Sequence, residues 1–209
     1  MVVACHKHDL QAARAFGMRT AFVPRPLEFG RGASADVAPE PWFDIYAEDF
    51  VVLARALGKL KDRPWRALLV GDGPARPEIE SLMAPLGDRV VFAGARSHAE
   101  LPAIYQSADL YLWPAINEAY GMAFLEAQAA GLPVVAGRTG GVPAVVADGV
   151  TGLLTPVGDA DAFAAAVAHL LDAPQERARL AGAAAARVAA HHDERVAARA
   201  LAVALRTLR

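Results

Sequence analysis

The chain has 209 residues, a formal net charge of -2 and 21% charged residues, which fits one large or two small globular domains. The charge gives no electrostatic reason to expect a nucleic-acid partner, and no apolar run reaches the ~18 residues of a membrane span. The single cysteine, Cys5, excludes an internal disulfide, and the N-terminus lacks the pattern of a signal peptide, so we expect a reducing, cytoplasmic location.

The first part of the chain predicts strands and helices around a long loop. Apolar runs predict the strands, apolar residues at helical spacing predict the helices, and prolines and glycines mark the loop. Asp49 is a suitable N-cap for the last helix of this part. The predicted elements are a strand at 2–5, a helix at 9–16, a strand at 19–23, a loop at 24–41, a strand at 43–47 and a helix at 49–60.

From residue 67 onwards, strands and helices alternate with short loops. This order predicts an α/β fold with a Rossmann-like, doubly wound and mostly parallel sheet, right-handed crossovers and helices on both faces. The predicted strands are 67–70, 90–93, 109–114, 133–136 and 152–155, and the predicted helices are 75–86, 98–107, 120–130, 142–147 and those after residue 160.

The segment from Glu118 to Ala136 is the most informative part of the sequence. It places two carboxylates, Glu118 and Glu126, eight residues apart between two predicted strands. Two helical turns put both on nearly the same side, at the start of a helix and near the carboxyl end of a strand. Ligands bind at this edge of open α/β sheets, and the N–H groups of a helix N-terminus attract an anion such as a diphosphate. Two glutamates on one helix are, however, also typical of a solvated face.

Several motifs in a fixed order make residues 58–209 similar to one known family. Around the Glu-x7-Glu spacing, they resemble the C-terminal domain of GT-B retaining glycosyltransferases of the family 4, or group 1, type. The resemblance implies binding of a nucleotide-sugar donor, with a UDP, GDP or ADP nucleotide, and no further cofactor. The motifs are Ala67–Pro74, Val90–Gly94, Tyr105–Asp109, Glu118–Glu126, Gly140–Pro143 and Asp148–Leu154.

The resemblance also implies a role for each donor-binding residue. Glu126 would accept hydrogen bonds from a ribose diol, and Glu118 from sugar hydroxyls. Backbone N–H groups of the loop between them would approach the phosphate or the sugar, with Gly121 permitting a close approach. The segment around Arg96 would contact the base, although Arg96 by itself equally predicts a surface charge. The implied residues are Gly94, Ala95, Arg96, Glu118, Tyr120, Gly121, Met122, Ala123 and Glu126.

Residues 1–57 resemble a different family. The motifs His8–Arg14, Gly17–Gly30 and Asp44–Phe50 are similar to the C-terminal end of type II haloacid dehalogenases of the HAD superfamily. Asp9 matches a late acidic residue of that family, but the family's aspartate nucleophile lies upstream of the matching segment. Because covalent catalysis requires this nucleophile, we expect a dehalogenase-like remnant without turnover of 2-haloacids.

We therefore expect two parts, a dehalogenase-like remnant at 1–57 and a glycosyltransferase nucleotide-sugar-binding domain at 58–209. The strand and helix before residue 60 stand where the second part would have its own first strand and helix, so the two parts are expected to share one sheet. The acceptor domain of full GT-B enzymes has no counterpart, and neither does the basic pair that neutralises the donor diphosphate. Lys59 and Lys61 are near that position in sequence, but they follow the wrong element, so weak transfer or none is expected.

Other readings of the sequence stay open. The chain can be a folded, non-catalytic product of a fused or truncated gene, or a dehalogenase-related fragment. The Cys5, His6 and His8 cluster lacks a second group of ligands, so no metal site is expected. Arginines spread over the last helices predict a solvated face rather than a membrane-binding patch, and they leave peripheral membrane contact open.

Overall fold

The computed structural model describes residues 2–4, 20–22, 48–73, 75–116, 118, 120–192, 198 and 205. The strands within these residues are β1 (Val2–Ala4), β2 (Thr20–Phe22), β3 (Ala67–Val70), β4 (Val90–Gly94), β5 (Tyr111–Trp113), β6 (Val134–Gly137) and β7 (Gly152–Thr155). The helices are α1 (Glu48–Gly58), α2 (Arg76–Met83), α3 (Leu101–Gln106), α4 (Met122–Ala129), α5 (Val142–Val145), α6 (Ala160–Asp172) and α7 (Pro174–His191), and a 3₁₀ turn spans Ala84–Arg89.

Every strand pair in the described residues is parallel. β1 pairs with β2, β3 pairs with β4, and β6 lies between β5 and β7. Val134 of β6 lies opposite Tyr111 on one side and Gly152 on the other. Because parallel neighbours need crossover connections, helices separate consecutive strands from β3 onwards. The arrangement confirms the expected Rossmann-like α/β class.

The central strand β6 explains why helices cover both faces of the sheet. All four of its residues are buried, and successive side chains point to opposite faces. Val135 joins a core built largely from α1, α2, α6 and the first turns of α7. Val134 and Ala136 join a second core, in which Phe124 of α4 and Val142 of α5 are fully or almost fully buried. An uninterrupted apolar strand of this kind is typical of a parallel sheet with two covered faces.

The sequence predicted the element types in the described residues, but it extended several helices too far. The helix predicted to reach residue 86 ends at Met83, where the chain tightens into the 3₁₀ turn that contains Gly87 at φ +59°. Helices α3, α4 and α5 are likewise shorter than predicted at one or both ends. The predicted helix at 9–16, loop at 24–41 and strand at 43–47 lie outside the described residues.

A cavity of about 830 Å³ lies between β3 and β5. Both strands line it along their length, and the apolar residues Phe50, Leu53 and Leu57 of α1 line it from one side. Among the described strands, β3 is paired only with β4, and β5 only with β6. Within the described residues, one edge of β3 and one edge of β5 therefore border this space without a strand partner.

We predict that residues 43–47, which lie outside the described residues, pair in parallel with residues 67–70 across this space. Helix α1 begins beside the loop after β5 and leads into β3, so a strand that precedes α1 would run parallel to β3 in a β-α-β unit. Nuclear Overhauser contacts between the two backbones, together with slow amide exchange in both segments of the full chain, are the expected observations. Fast exchange in 43–47 and no contact with 67–70 would contradict the prediction.

The end of β6 meets the loop after β5 backbone to backbone. A Cβ atom on Gly137 would overlap the carbonyl oxygens of Pro114 and Ala115. Ala115 is fully buried, and its φ of +44° lies in the left-handed region that non-glycine residues rarely adopt. Glycine at position 137 is therefore required by a close approach and not by its own backbone conformation.

We expect Gly137→Ala to lower the free energy of unfolding by about 1–3 kcal/mol, because the carbonyl groups that it would overlap belong to a buried loop. Gly182→Ala is the matched control, since Gly182 lies in the middle of α7 with open space around it. That change should raise stability by about 0.5–1 kcal/mol through helix propensity. Urea unfolding of the three proteins measures both effects, and equal stability of Gly137→Ala and the unmodified chain would refute the overlap.

Candidate functional site

A left-handed glycine sets the start of α4. Gly121 adopts φ +90° and ψ +60° immediately before the first helical residue, Met122. A Cβ at this position would also overlap the ring of Phe124. Both the backbone conformation and the packing therefore favour glycine, and they explain why the helix begins at Met122 and not at the predicted residue 120.

The first turn of α4 offers backbone donors to a ligand. The N–H of Phe124 donates to the carbonyl of Gly121 at 3.0 Å, as expected one turn into a helix. Among the described residues, the N–H groups of Met122 and Ala123 have no acceptor, and no acidic side chain caps them. Met122 is 61% exposed, so this end of the helix faces solvent and not the core. Such an end attracts an anion through its free N–H groups and the helix dipole.

Glu126 is oriented by a tyrosine from the preceding helix. The hydroxyl of Tyr105 in α3 donates to Oε2 of Glu126 at 3.0 Å. Burial raises the pKa of Tyr105 well above its ordinary value, and the bond to Glu126 acts in the same direction, so the phenol stays a neutral donor. Glu126 is half-buried and lines the cavity beside β5 together with Ala123. The described residues provide it with no second hydrogen-bond partner, which leaves carboxylate oxygen for a ligand.

Both glutamates of the predicted pair lie near one partly buried tyrosine, Tyr111. Burial raises the pKa of Tyr111 to about 12, and the charges of Glu118 and Glu126 both add to that rise. The ring of Tyr111 packs against Phe124 and Tyr105, with centroid distances of 5.8 Å and 6.0 Å. The three rings form an aromatic cluster that packs on the second core.

Glu118 has a local partner in this structure. Its Oε1 accepts a hydrogen bond from the N–H of Tyr120 at 3.3 Å, so that N–H is already satisfied. The Tyr120 side chain is 45% exposed, and its hydroxyl lies 3.4 Å from Nδ1 of His192 at the end of α7. Burial lowers the pKa of His192, and the positive charge of Arg187 lowers it further. The imidazole therefore stays neutral near pH 7.

The third predicted segment, residues 94–96, follows β4. Gly94 adopts φ +71°, and its carbonyl accepts a hydrogen bond from the N–H of Gly71 at 3.0 Å. Ala95 is exposed, and Arg96 makes an exposed ion pair with Glu100 at 3.6 Å. The structure joins this segment to the loop after β3, whereas the contacts around Glu118 and Glu126 come from α3, β5 and α4.

Sequence reasoning missed three contacts between residues that are far apart in the chain. Tyr105 belongs to a motif that was identified, but nothing in its spacing reveals a bond to Glu126, 21 residues later. Asp49 was predicted as an N-cap; it lies inside α1 instead, and its Oδ1 accepts from the N–H of Ile116 at 2.7 Å. Lys59, to which no role was assigned, pairs with Asp161 at 2.5 Å.

A membrane-crossing helix and a metal cluster are both missing from the described residues. None of the helices there is both long enough and apolar enough to cross a bilayer. The same residues contain no group of three or more histidine, cysteine, aspartate or glutamate side chains arranged to hold a metal ion.

A sequence model of the family described as "Glycosyl transferases group 1" matches residues 44–173. The chain belongs to the group 1 glycosyltransferases. The family match begins before the predicted boundary at residue 58 and includes the whole of α1. Since α1 contributes Leu53, Ala56 and Leu57 to the first core, its packing joins it to the elements that follow.

Known relatives show what kinds of protein this family member is similar to. It is 41% identical over 139 residues to a D-inositol 3-phosphate glycosyltransferase of Corynebacterium glutamicum, covering 62% of this chain and 33% of that protein. It is 40% identical over 140 residues to a GDP-mannose-dependent alpha-(1-6)-phosphatidylinositol monomannoside mannosyltransferase of Mycolicibacterium smegmatis, covering 62% and 37%. The chain spans about a third of the length of these curated relatives.

A solved structure supports the fold. The crystal structure of HepE from Anabaena in complex with UDP-glucose superposes with a TM-score of 0.66 at 23% identity. The alignment covers 99% of this chain and 64% of that one. The group 1 glycosyltransferase therefore has the architecture of a GT-B enzyme's Rossmann-like domain.

We expect the Tyr105–Glu126 bond to be energetically significant. Tyr105→Phe should lower the free energy of unfolding by about 0.5–1.5 kcal/mol, because a half-buried carboxylate loses its donor. A double-mutant cycle with Glu126→Gln, measured by urea unfolding, should give a coupling energy of about the same size. The exposed Tyr120→Phe serves as the control, and coupling to Glu126 that is equal for the two tyrosines would contradict the assignment.

Proposed function

We propose that this glycosyltransferase domain binds a nucleotide-sugar donor at the start of α4, for glycosyl transfer. The observation that carries the proposal is the open first turn of this helix, which lies between the two carboxylates. The N–H groups of Met122 and Ala123 are suited to the diphosphate, Glu126 to the ribose diol and Glu118 to the sugar hydroxyls. Hydrogen bonds of ionised carboxylates to hydroxyls are short and strong, which suits both roles.

The identity of the nucleotide is proposed from the relatives. The mycobacterial relative is named as GDP-mannose-dependent, and the HepE structure contains UDP-glucose. These names support a UDP- or GDP-sugar as donor, and an ADP-sugar is proposed from the sequence resemblance alone. Gly94, Ala95 and Arg96 are proposed to contact the base. Arg96 would have to exchange its exposed partner Glu100 for the ligand, which costs little because exposed ion pairs are weak.

We propose that transfer by the 209-residue chain is weak. A diphosphate leaving group needs positive charge that is not already neutralised. The chain spans about a third of the length of its curated relatives, and the basic pair that the resemblance implies for the diphosphate has no counterpart among its motifs. In the competing proposal, the chain is a folded, non-catalytic product of a fused gene.

The origin of the first 57 residues is also a proposal. Their resemblance to the end of a haloacid dehalogenase supports a remnant of that family, and the boundary with the glycosyltransferase part is proposed near residue 57. We propose a cytoplasmic protein that acts without nucleic acid and whose contact with membranes, where it occurs, is peripheral.

We expect Glu126→Ala to weaken nucleotide binding by about 1–3 kcal/mol, the range for a lost hydrogen bond to a charged group. Glu118→Ala should weaken binding of a sugar nucleotide more than binding of the free nucleotide, because its proposed partner is the sugar. Isothermal titration with UDP, UDP-glucose, GDP and GDP-mannose measures both differences. Glu78→Ala, which removes an exposed glutamate from the first turn of α2, is the control. Unchanged affinity in Glu126→Ala, or no binding of any donor by the unmodified chain, would refute the proposal.

A further inference from the structure

Two consecutive residues of α1 hold the end of β5. The Oδ1 atom of Asp49 accepts a hydrogen bond from the N–H of Ile116 at 2.7 Å, across 67 residues of sequence. The next residue, Phe50, packs edge-on against Trp113, with ring centroids 5.0 Å apart and an interplanar angle of 82°. The first turn of α1 therefore fixes both the last residue of β5 and the loop that follows it.

The other side of the same loop residue is held from β6. The hydroxyl of Thr139, two residues after β6, donates to the carbonyl of Ile116 at 3.2 Å. Ile116 thus has its N–H bonded to one element and its carbonyl to another. Both bonds are partly buried, so water competes weakly for either group.

The loop needs this support because its backbone is strained. Ala115, directly before Ile116, is fully buried with φ +44°. Such conformations persist only where the surroundings enforce them. The carbonyl groups of Pro114 and Ala115 lie so close to Gly137 that no side chain fits at that position. The next residue, Ile116, is bonded to the side chains of Asp49 and Thr139.

Ile116 lies two residues before Glu118 in the chain. Since two residues span at most ~7 Å, a shift of Ile116 limits where Glu118 can lie. Glu126 is held separately, since Tyr105 donates to it and the buried Phe124 and Gln128 anchor its helix. Loss of the Asp49 bond should therefore displace one carboxylate of the site and spare the other.

We infer that Asp49 is a positioning residue for the sugar-binding half of the donor site. In this role the Asp49 carboxylate fixes the Ile116 peptide and, through it, Glu118. This inference rests on the proposed function, because the sugar-binding role of Glu118 belongs to that proposal. It also assigns a task in the glycosyltransferase site to a residue of the segment that resembles a dehalogenase.

The test uses the full chain with Asp49→Ala and Asp49→Asn, and with Thr139→Val and Thr139→Ser. Asparagine and serine are the conservative variants, since asparagine keeps an acceptor oxygen and serine keeps the hydroxyl.

Asp62→Ala is the matched control, because Asp62 is an exposed aspartate just after α1 that pairs with Arg63. Leu57→Ala controls for lost stability alone, because Leu57 lies in the core. Hydrogen exchange of the peptide containing Ile116 and dissociation constants for UDP, UDP-glucose, GDP and GDP-mannose are measured for each protein.

For Asp49→Ala we expect faster exchange confined to residues 114–121. We also expect the dissociation constant of the bound sugar nucleotide to rise about tenfold, with less than about a twofold change for the free nucleotide. Asp49→Asn and Thr139→Ser should recover most of the affinity, and Thr139→Val should act in the same direction as Asp49→Ala. Leu57→Ala should lower the melting temperature and leave the ratio of the two dissociation constants unchanged.

Two outcomes would overturn the inference. One is unchanged exchange in residues 114–121 of Asp49→Ala. The other is an equal loss of affinity for free and sugar-bearing nucleotide, as expected from a general loss of stability. If the unmodified chain binds no donor, the proposed function fails. The loop-holding role of Asp49 is then judged on exchange alone: faster exchange in 114–121 supports it, and unchanged exchange refutes it.

Discussion

The close approach of the β5 loop to the end of β6 is the constraint on which the candidate site depends. Gly137 lets the carbonyl groups of Pro114 and Ala115 lie against the end of β6, directly after β5 ends at Trp113. The chain can then enter α4 through the left-handed Gly121, with the first turn of the helix facing solvent. A bulkier residue at either glycine would move the helix start away from the glutamates that flank it.

Burial of β6 on both faces makes this constraint rigid. Its alternating side chains lock into two separate cores, so a shift of the strand would disturb the packing of α1 and α6 on one side and of α4 and α5 on the other. The N–H donors at the start of α4 and the carboxylate of Glu126 therefore belong to a helix that is tightly packed on β6. The loop through Glu118 also depends on the individual hydrogen bonds that Ile116 makes with Asp49 and Thr139.

The sequence predicts the layers of this fold better than its connections. Strand and helix order follows from apolar periodicity and from glycine and proline positions, because burial on a sheet or helix imposes a regular spacing. The ends of helices are less predictable, since Gly87 and Gly121 adopt positive φ values that apolar spacing does not reveal. The Glu-x7-Glu spacing indicated a ligand site, whereas the Asp49–Ile116 and Tyr105–Glu126 bonds join residues far apart in sequence and leave no periodic signal.

The packing of α1 bears on how the two resemblances in this chain fit together. Leu53, Ala56 and Leu57 lie in one core with the elements after residue 67, and the match to the glycosyltransferase family already begins at residue 44. If the segment before residue 58 has a dehalogenase origin, its last helix has nevertheless become part of the glycosyltransferase core. A helix can be exchanged between α/β families in this way, because each supplies the same βα order and the receiving sheet needs only an apolar face of the right length. A matching order of elements does not by itself provide a polar contact at a fixed position. The hydrogen bond from the N–H of Ile116 to Asp49 is such a contact.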